Sequence, residues 1–315
     1  MSEDLIDLVV AEVRPLTSHV NAYLLRRAGG GALPPYTAGA HIQLRVEIDG
    51  APAWRHYSLV DLEADRVARA APVEYLIAVR REARELGGRG GSDYLHAHAR
   101  PGFVLPARAP RNDFALDAAA DRAVLVAGGI GITPLASMAA ALKAQGRTYA
   151  LHYCGRSLEQ LAFAPQLAAE HGAALTLHPD DDPARRLDLR ALLASCTPAQ
   201  PLYFCGPKGM IDALRLLAAD MGWQAGDRAF ELELRQSGTT IAVAADTTIL
   251  DAMLAAGLDP IFDCKRGDCG VCATEVIEGE VEHRDNCLSD AEKAAGKIIH
   301  ICISRARGAR LVLDA

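Results

Sequence analysis

Ten residues, Asp263 to Cys272 (DCKRGDCGVC), hold three of the eight cysteines in a chain of 315 residues. With Cys302 they give Cys264-x4-Cys269-x2-Cys272, then twenty-nine residues before the fourth thiol. This is the plant-type [2Fe–2S] spacing, C-x4-C-x2-C…C. Gly267 and Gly270 let backbone amides turn inward toward sulfur, which suits a strongly anionic centre. A structural zinc site usually takes two paired C-x2-C knuckles, and only one is present; the pairs that a Rieske centre needs are missing. Zinc, or ordinary buried thiols, are the alternatives. Cys154, Cys196, Cys205 and Cys287 are left over, and Cys287, the nearest, reads as a small buried side chain.

Other stretches carry nucleotide chemistry. AGGIGITPLASM (127–138) sets Gly128, Gly129 and Gly131 between an apolar run and a helical one, which Thr133 and Pro134 open. Amides and a helix N-terminus there can hold a pyrophosphate, although the stretch is not G-x-G-x-x-G and glycines also make plain tight turns. YFCGPKGM (203–210) leaves the Cys205 thiol and the bare backbone of Gly206–Pro207 where a nicotinamide could lie. RHYS (55–58) suits a flavin: Tyr57 can stack, Ser58 can hydrogen-bond the ring, and Arg55 can meet a phosphate. GRGGS (88–92) adds Gly90, Gly91 and Ser92 for that phosphate; a strand arginine and a loop are the bland readings. Trp54 reads as packing. CGRS (154–157) offers Arg156 and Ser157 where an acid would meet a ribose 2′-hydroxyl, which leaves room for a 2′-phosphate.

Three segments must position these groups. Residues 1–110 are β-rich: HIQLRVEI (41–48) alternates as a half-buried strand does, and RHYSLV (55–60) and VEYLIAVRRE (73–82) follow, which predicts a small antiparallel barrel. Residues 111–229 alternate strands with helices over 133–146, 158–171, 188–194 and 209–221, which predicts a doubly wound parallel sheet binding ligands at its carboxyl edge. Residues 230–315 are mixed α+β: FELELRQ and TTIAVAA form a hairpin across Ser-Gly, and a helix over 247–257 is capped by Asp246 or Thr247 and stopped by Gly257. Short strands are expected at 273–277, 298–303 and 310–314, with Cys302 on the second.

Half the residues are hydrophobic and 23% are charged, as in globular proteins, and the net charge of -7 argues against nucleic acid. The start, MSEDLIDLVV, has no basic stretch ahead of an apolar core, so no secretory signal is read. Apolar runs are too short to span a membrane. A cytoplasmic address, with reduced thiols, is the expectation.

RHYSL, YLIAVRRE with GRGGS, AGGIGITPLASM, YFCGPKGM, CKRGDCGVC, EHRD (282–285) and the end CISRARGARLVLDA together resemble the phthalate dioxygenase reductase family, including vanillate O-demethylase reductases. The resemblance covers essentially the whole chain. It implies an FMN barrel, an NAD domain of ferredoxin-reductase type and a β-grasp ferredoxin domain, passing electrons from NADH through FMN and a [2Fe–2S] cluster to a terminal Rieske-type oxygenase. By matching positions, Arg55, Tyr57, Ser58, Gly90, Gly91 and Ser92 would hold FMN. Gly128, Gly129, Gly131, Thr133 and Pro134 would meet the dinucleotide, and Cys205, Gly206 and Pro207 would flank the nicotinamide. Cys205, Tyr57 and Ser58 are thus expected nearest the reacting rings, and the four cysteines bind the cluster. Lys265 and Arg266 read as solvated loop charge or a basic docking patch. Phe230 is a candidate aromatic near the flavin, after a short linker; EHRD has no assigned chemical step. A different redox acceptor and a redox-sensing module are the competing classes. A monomer is compatible with the sequence.

Overall fold

The computed structural model describes residues 5–66, 71–82, 90–117, 120–197, 200–221, 229–244 and 247–315. The chain divides into two compact units, Met1–Leu217 and Ala218–Ala315.

The first unit begins with β1 (Ile6–Thr17), β2 (Val20–Arg27), β3 (His41–Ile48), β4 (Ala51–Ser58), β5 (Glu74–Arg80), helix α1 (Gly91–His98) and β6 (Val104–Arg111). The strands form one antiparallel sheet in the order β4-β3-β6-β1-β2-β5. Its edge strands β4 and β5 meet, closing the expected barrel. Alternation drives the closure, because Ile42, Leu44 and Val46 of β3 all point into one core with Leu8, Leu25, Ile77 and Leu105. Leu95 of α1 plugs that core and is fully buried. Asp49 and Gly50, both at positive φ, turn β3 into β4 as a two-residue hairpin.

Next come β7 (Arg122–Gly128), α2 (Ile132–Ala144), β8 (Thr148–Gly155), α3 (Ala164–His171), β9 (Leu175–Pro179), α4 (Leu189–Ser195), β10 (Leu202–Cys205) and α5 (Lys208–Asp220). The sheet is parallel, in the order β10-β7-β8-β9. β7 is buried on both faces, Leu125 and Ala127 against one core and Val124 and Val126 against another, as a central parallel strand must be. The helix expected over 158–171 starts only at Ala164; residues 158–160 make a single 3-10 turn. Ser137, fully buried on α2, donates to Leu59 O (2.8 Å) and accepts from Asp61 N (2.8 Å). It fixes the nucleotide sheet to the barrel.

The second unit holds β11 (Phe230–Leu234), β12 (Thr239–Val243), α6 (Ile249–Ala255), β13 (Ala273–Glu278), β14 (Val281–Glu282), α7 (Asp290–Ala295), β15 (Ile298–His300), β16 (Arg305–Ala306) and β17 (Arg310–Leu313). β12-β11-β17-β13-β15 is one sheet, with β11 and β17 parallel, and β14 pairs with β16. The Ser-Gly hairpin forms, with Leu234 opposite Thr239. The cap of α6 is Thr248, whose hydroxyl accepts from Asp251 N, one residue past the expected Thr247; Asp246 lies outside the described residues. Phe230 is a core residue here, with the Arg305 guanidinium 5.3 Å from its ring centre. Cys302 sits in the turn after β15 rather than on a strand. Helix α7 was not read from the sequence, although Ser289 and Glu292 close a full capping box on it.

Candidate functional site

Parallel pairing puts Ala127 beside Cys205, so the turns after β7 and β10 share the carboxyl edge of the sheet. They are packed backbone to backbone. A Cβ on Gly128 would lie 2.7 Å from Pro207 Cδ and 3.3 Å from Gly206 Cα, and one on Gly131 would collide with the Cys205 carbonyl. Gly129 takes a positive φ of 54° at the head of α2. A cavity of about 650 Å³ opens over this edge, lined by Gly128, Gly129, Arg156, Pro207 and, from the barrel, His19 and Arg80. Its volume suits a nucleotide. Gly128 and Gly131 are bare because the neighbouring turn fills the space a Cβ would take, while Gly129 faces the cavity with open space before it, which fits a dinucleotide.

The remaining residues of this half divide by role. Thr133 Oγ1 donates to Ile130 O (3.0 Å) and closes the turn, and Pro134 is buried within α2. Burial pushes the Cys205 thiol up to about 11, so it is a neutral group at the end of β10, two residues before the cavity-lining Pro207. Arg156 is exposed at the rim, while Ser157 hydrogen-bonds to Glu159. Arg80 is a residue the sequence reading missed. Its guanidinium reaches toward Gly129, 3.9 Å from where a Cβ there would be, and it makes no ion pair or hydrogen bond among the described residues. No local signal in the sequence links Arg80 to that turn.

On the barrel, Arg55 lies across the start of α1, its Cγ 2.6 Å from where a Cβ on Gly91 would be. Gly90, at φ 78°, precedes the helix. Arg55 Nη1 donates to Trp54 O (2.9 Å), which holds the arginine stem beside the helix start; a cation next to a helix N-terminus fits a flavin phosphate. Ser92 Oγ accepts from Glu82 N (3.0 Å) and so ties the loop down. Gly88 and Arg89 lie outside the described residues. Tyr57 packs half-buried against the barrel core, Ser58 pairs with His41 across β3, and the Arg108 guanidinium lies 4.4 Å from the Trp54 ring, which makes Trp54 a packing residue.

In the second unit the four thiols stand within electrostatic reach of one another: Cys269 acts on Cys264, and both Cys272 and Cys264 act on Cys302. The donor set, four cysteine thiols in the plant-type spacing, fits a [2Fe–2S] cluster with two thiolates on each iron. Cys264 Sγ accepts from Arg266 N (3.3 Å) and Asp268 N (3.4 Å). Burial opposes its ionisation, but the Asp268 and Arg266 amides and Cys269 bring it down to about 7. Cys302 is pushed up to about 12 by burial and by Cys272. Lys265 is tied to Asp251 (3.3 Å) and stands 4.8 Å over the Phe262 ring. Cys287 donates to Gly267 O (3.0 Å) from outside the four-thiol set.

Residues 232–307 match the family model described as a 2Fe-2S iron-sulfur cluster binding domain. The chain is 40% identical to the phenoxybenzoate dioxygenase subunit beta of Ectopseudomonas oleovorans, covering 92% of this chain and 91% of that protein. The chain belongs to the phthalate dioxygenase reductase family. Vanillate O-demethylase oxidoreductase of Pseudomonas sp. (strain HR199 / DSM 7063) is 35% identical over 98% of this chain and its own full length. Tetrachlorobenzoquinone reductase of Sphingobium chlorophenolicum is 37% identical over 98% of both chains. The solved structure of phthalate dioxygenase reductase, described as modular for electron transfer from pyridine nucleotides to [2Fe–2S], matches with a TM-score of 0.63 and 33% identity, over 99% of this chain and 98% of that one. As a member of this family the chain is an NADH-dependent oxidoreductase with FMN and a [2Fe–2S] cluster, a reductase component of oxygenase systems. No helix among the described residues is long and apolar enough to cross a membrane.

Proposed function

We propose that the chain is organised as an FMN barrel (1–110), an NAD domain (111–229) and a cluster domain (230–315), and that it delivers electrons one at a time to a terminal Rieske-type oxygenase acting on an aromatic substrate. The 2Fe-2S family match over residues 232–307, which contains Cys264, Cys269, Cys272 and Cys302, carries the reading, because a single-electron exit is what an oxygenase needs from a two-electron donor.

FMN, held by Arg55, Gly90, Gly91 and Ser92, would supply conversion of a two-electron donor into single electrons, and a [2Fe–2S] cluster on Cys264, Cys269, Cys272 and Cys302 would supply one-electron transfer. The protein's own work is placement. The bare turns at Gly128, Gly129 and Gly131 seat the dinucleotide, and Arg80 supplies a cation above them. Cys205, Gly206 and Pro207 form the wall for the nicotinamide, with the Cys205 thiol protonated. Arg55 and the amides of Gly90, Gly91 and Ser92 hold the flavin phosphate, and Tyr57 and Ser58 fix the ring. Arg156 and Ser157 border the adenosine end. The carriers need no general acid or base from the chain, so placement suffices.

Anaerobic titration with NADH tests this reading. Flavin bleaching together with a rhombic reduced [2Fe–2S] EPR signal is expected; bleaching without that signal overturns it. The likeness to a tetrachlorobenzoquinone reductase favours a second reading, in which the acceptor is a quinone. Reconstitution separates them: an oxygenase partner that turns over only with this chain supports the first, and quinone reduction with no oxygenase turnover supports the second. The chain is proposed to act as a monomer, which its mass in solution decides.

A further inference from the structure

EHRD (282–285) supplies no step in the electron path, yet its aspartate is among the most buried charged side chains of the molecule, 1% exposed. Pairing of β14 with β16 brings Ser304 beside it. Ser304 Oγ donates to Asp285 Oδ1 (3.2 Å), and the Leu288 amide donates to Oδ2 (3.0 Å). His300 Nδ1 lies 3.3 Å from Oδ2 and His283 Nδ1 3.5 Å from Oδ1. Lys293 Nζ donates to the Asp285 carbonyl (2.5 Å).

The other side of this group is the cluster loop. Gly267, at φ 75°, sits directly on it, and a Cβ there would lie 3.0 Å from Asp285 Cα. The next two residues grip the same glycine, for Asn286 N (2.9 Å) and Cys287 Sγ (3.0 Å) both donate to Gly267 O. Asn286 Nδ2 donates to Asp268 Oδ1 (3.2 Å). Gly267 stands between Arg266 and Asp268, whose amides donate to Cys264 Sγ.

We propose that Asp285 is a positioning residue for the cluster: with Ser304 beneath it and Asn286 and Cys287 beside it, it forms the shelf that aims the Arg266 and Asp268 amides at Cys264 Sγ. The proposal rests on the reading of Cys264 as a cluster ligand. Amide donors to ligand sulfur favour the more anionic, reduced cluster and so raise its potential. A loosened shelf therefore makes reduction harder. A carboxylate acting only through its charge has the opposite effect, since removing an anion makes reduction easier.

The sign of the change is the test. Asp285→Ala, Ser304→Ala and Cys287→Ala are purified with flavin and cluster. Iron per chain, the EPR-monitored midpoint and amide hydrogen exchange over 265–268 are then measured. With two irons bound, Asp285→Ala is expected to disfavour reduction about tenfold, which is ~59 mV for one electron. Ser304→Ala and Cys287→Ala, which change no charge, should shift the same way by less, with faster exchange over 265–268. If Asp285→Ala does not fold, the two neutral variants decide. Midpoints unchanged or moved positive overturn the proposal while leaving the cluster assignment intact. An unaltered chain without a [2Fe–2S] signal overturns both.

Discussion

Gly131 lies against the carbonyl of Cys205 so closely that the smallest side chain would collide with it and with the amide of Gly206. Contact between two bare backbones joins the turn after β7 to the turn after β10. Gly131→Ala must push α2 away from β10, at an overpacking cost of about 1–3 kcal/mol. The expected outcome is a KM for NADH raised about tenfold or more, with FMN and iron content unchanged. Steady-state kinetics with a cofactor assay check it.

Arg80 is expected to act on binding and not on turnover. A hydrogen bond to a charged group is worth about 1.5–3 kcal/mol, so Arg80→Ala should raise the KM for NADH about tenfold and leave kcat within about twofold. Arg80→Lys should recover part of the loss. ADP-ribose binding by calorimetry gives the same contrast without catalysis; equal affinity in Arg80→Ala and the unaltered chain would sink the assignment.

Burial holds the Cys205 thiol up to about 11, so between pH 6 and 9 it stays protonated. The rate of flavin reduction by NADH should show no limb in that range that vanishes in Cys205→Ala. Stopped-flow measurement across the range decides this.

Replacing Cys264, Cys269, Cys272 or Cys302 by Ala should abolish the cluster signal while NADH still bleaches the flavin. Iron analysis and the visible spectrum separate the two events. Flavin reduction lost along with the cluster would contradict the order of carriers.

Burial opposes ionisation of Asp285, but His300, the Leu288 amide and Lys293 outweigh it and hold the carboxyl well below the usual range. A depressed carboxylate stabilises the fold above its unfolded pKa of about 3.9 and loses that contribution as pH falls toward its folded value. The second unit should therefore lose stability below about pH 4, and Asp285→Asn should flatten that fall. Urea midpoints followed by cluster bleaching between pH 7 and 3.5 measure it.

The fold class and the four thiols were legible because their signals are local. Alternating apolar residues in β3 can serve only a half-buried strand, and the cysteine spacing reports one loop. Residues 127–138 and 203–210 were legible as separate turns for the same reason. The capping box Ser289–Glu292 was equally local and was passed over. Arg80 and Asp285 were not legible, since nothing near Arg80 in sequence mentions Gly129, and EHRD does not mention Gly267.

By itself, then, the sequence determined which residue types stand at which spacings, and so the kinds of carrier: a thiolate cluster, a flavin phosphate site and a dinucleotide turn. Only the tertiary structure decided that Gly131 meets Cys205, that Phe230 belongs to the core of the second unit, and that the buried Asp285 lies against Gly267 of the cysteine loop. The reason is physical. Spacing along the chain constrains neighbours within a turn or two, whereas parallel strand pairing and the β14–β16 ribbon join residues dozens of positions apart through packing no local pattern encodes.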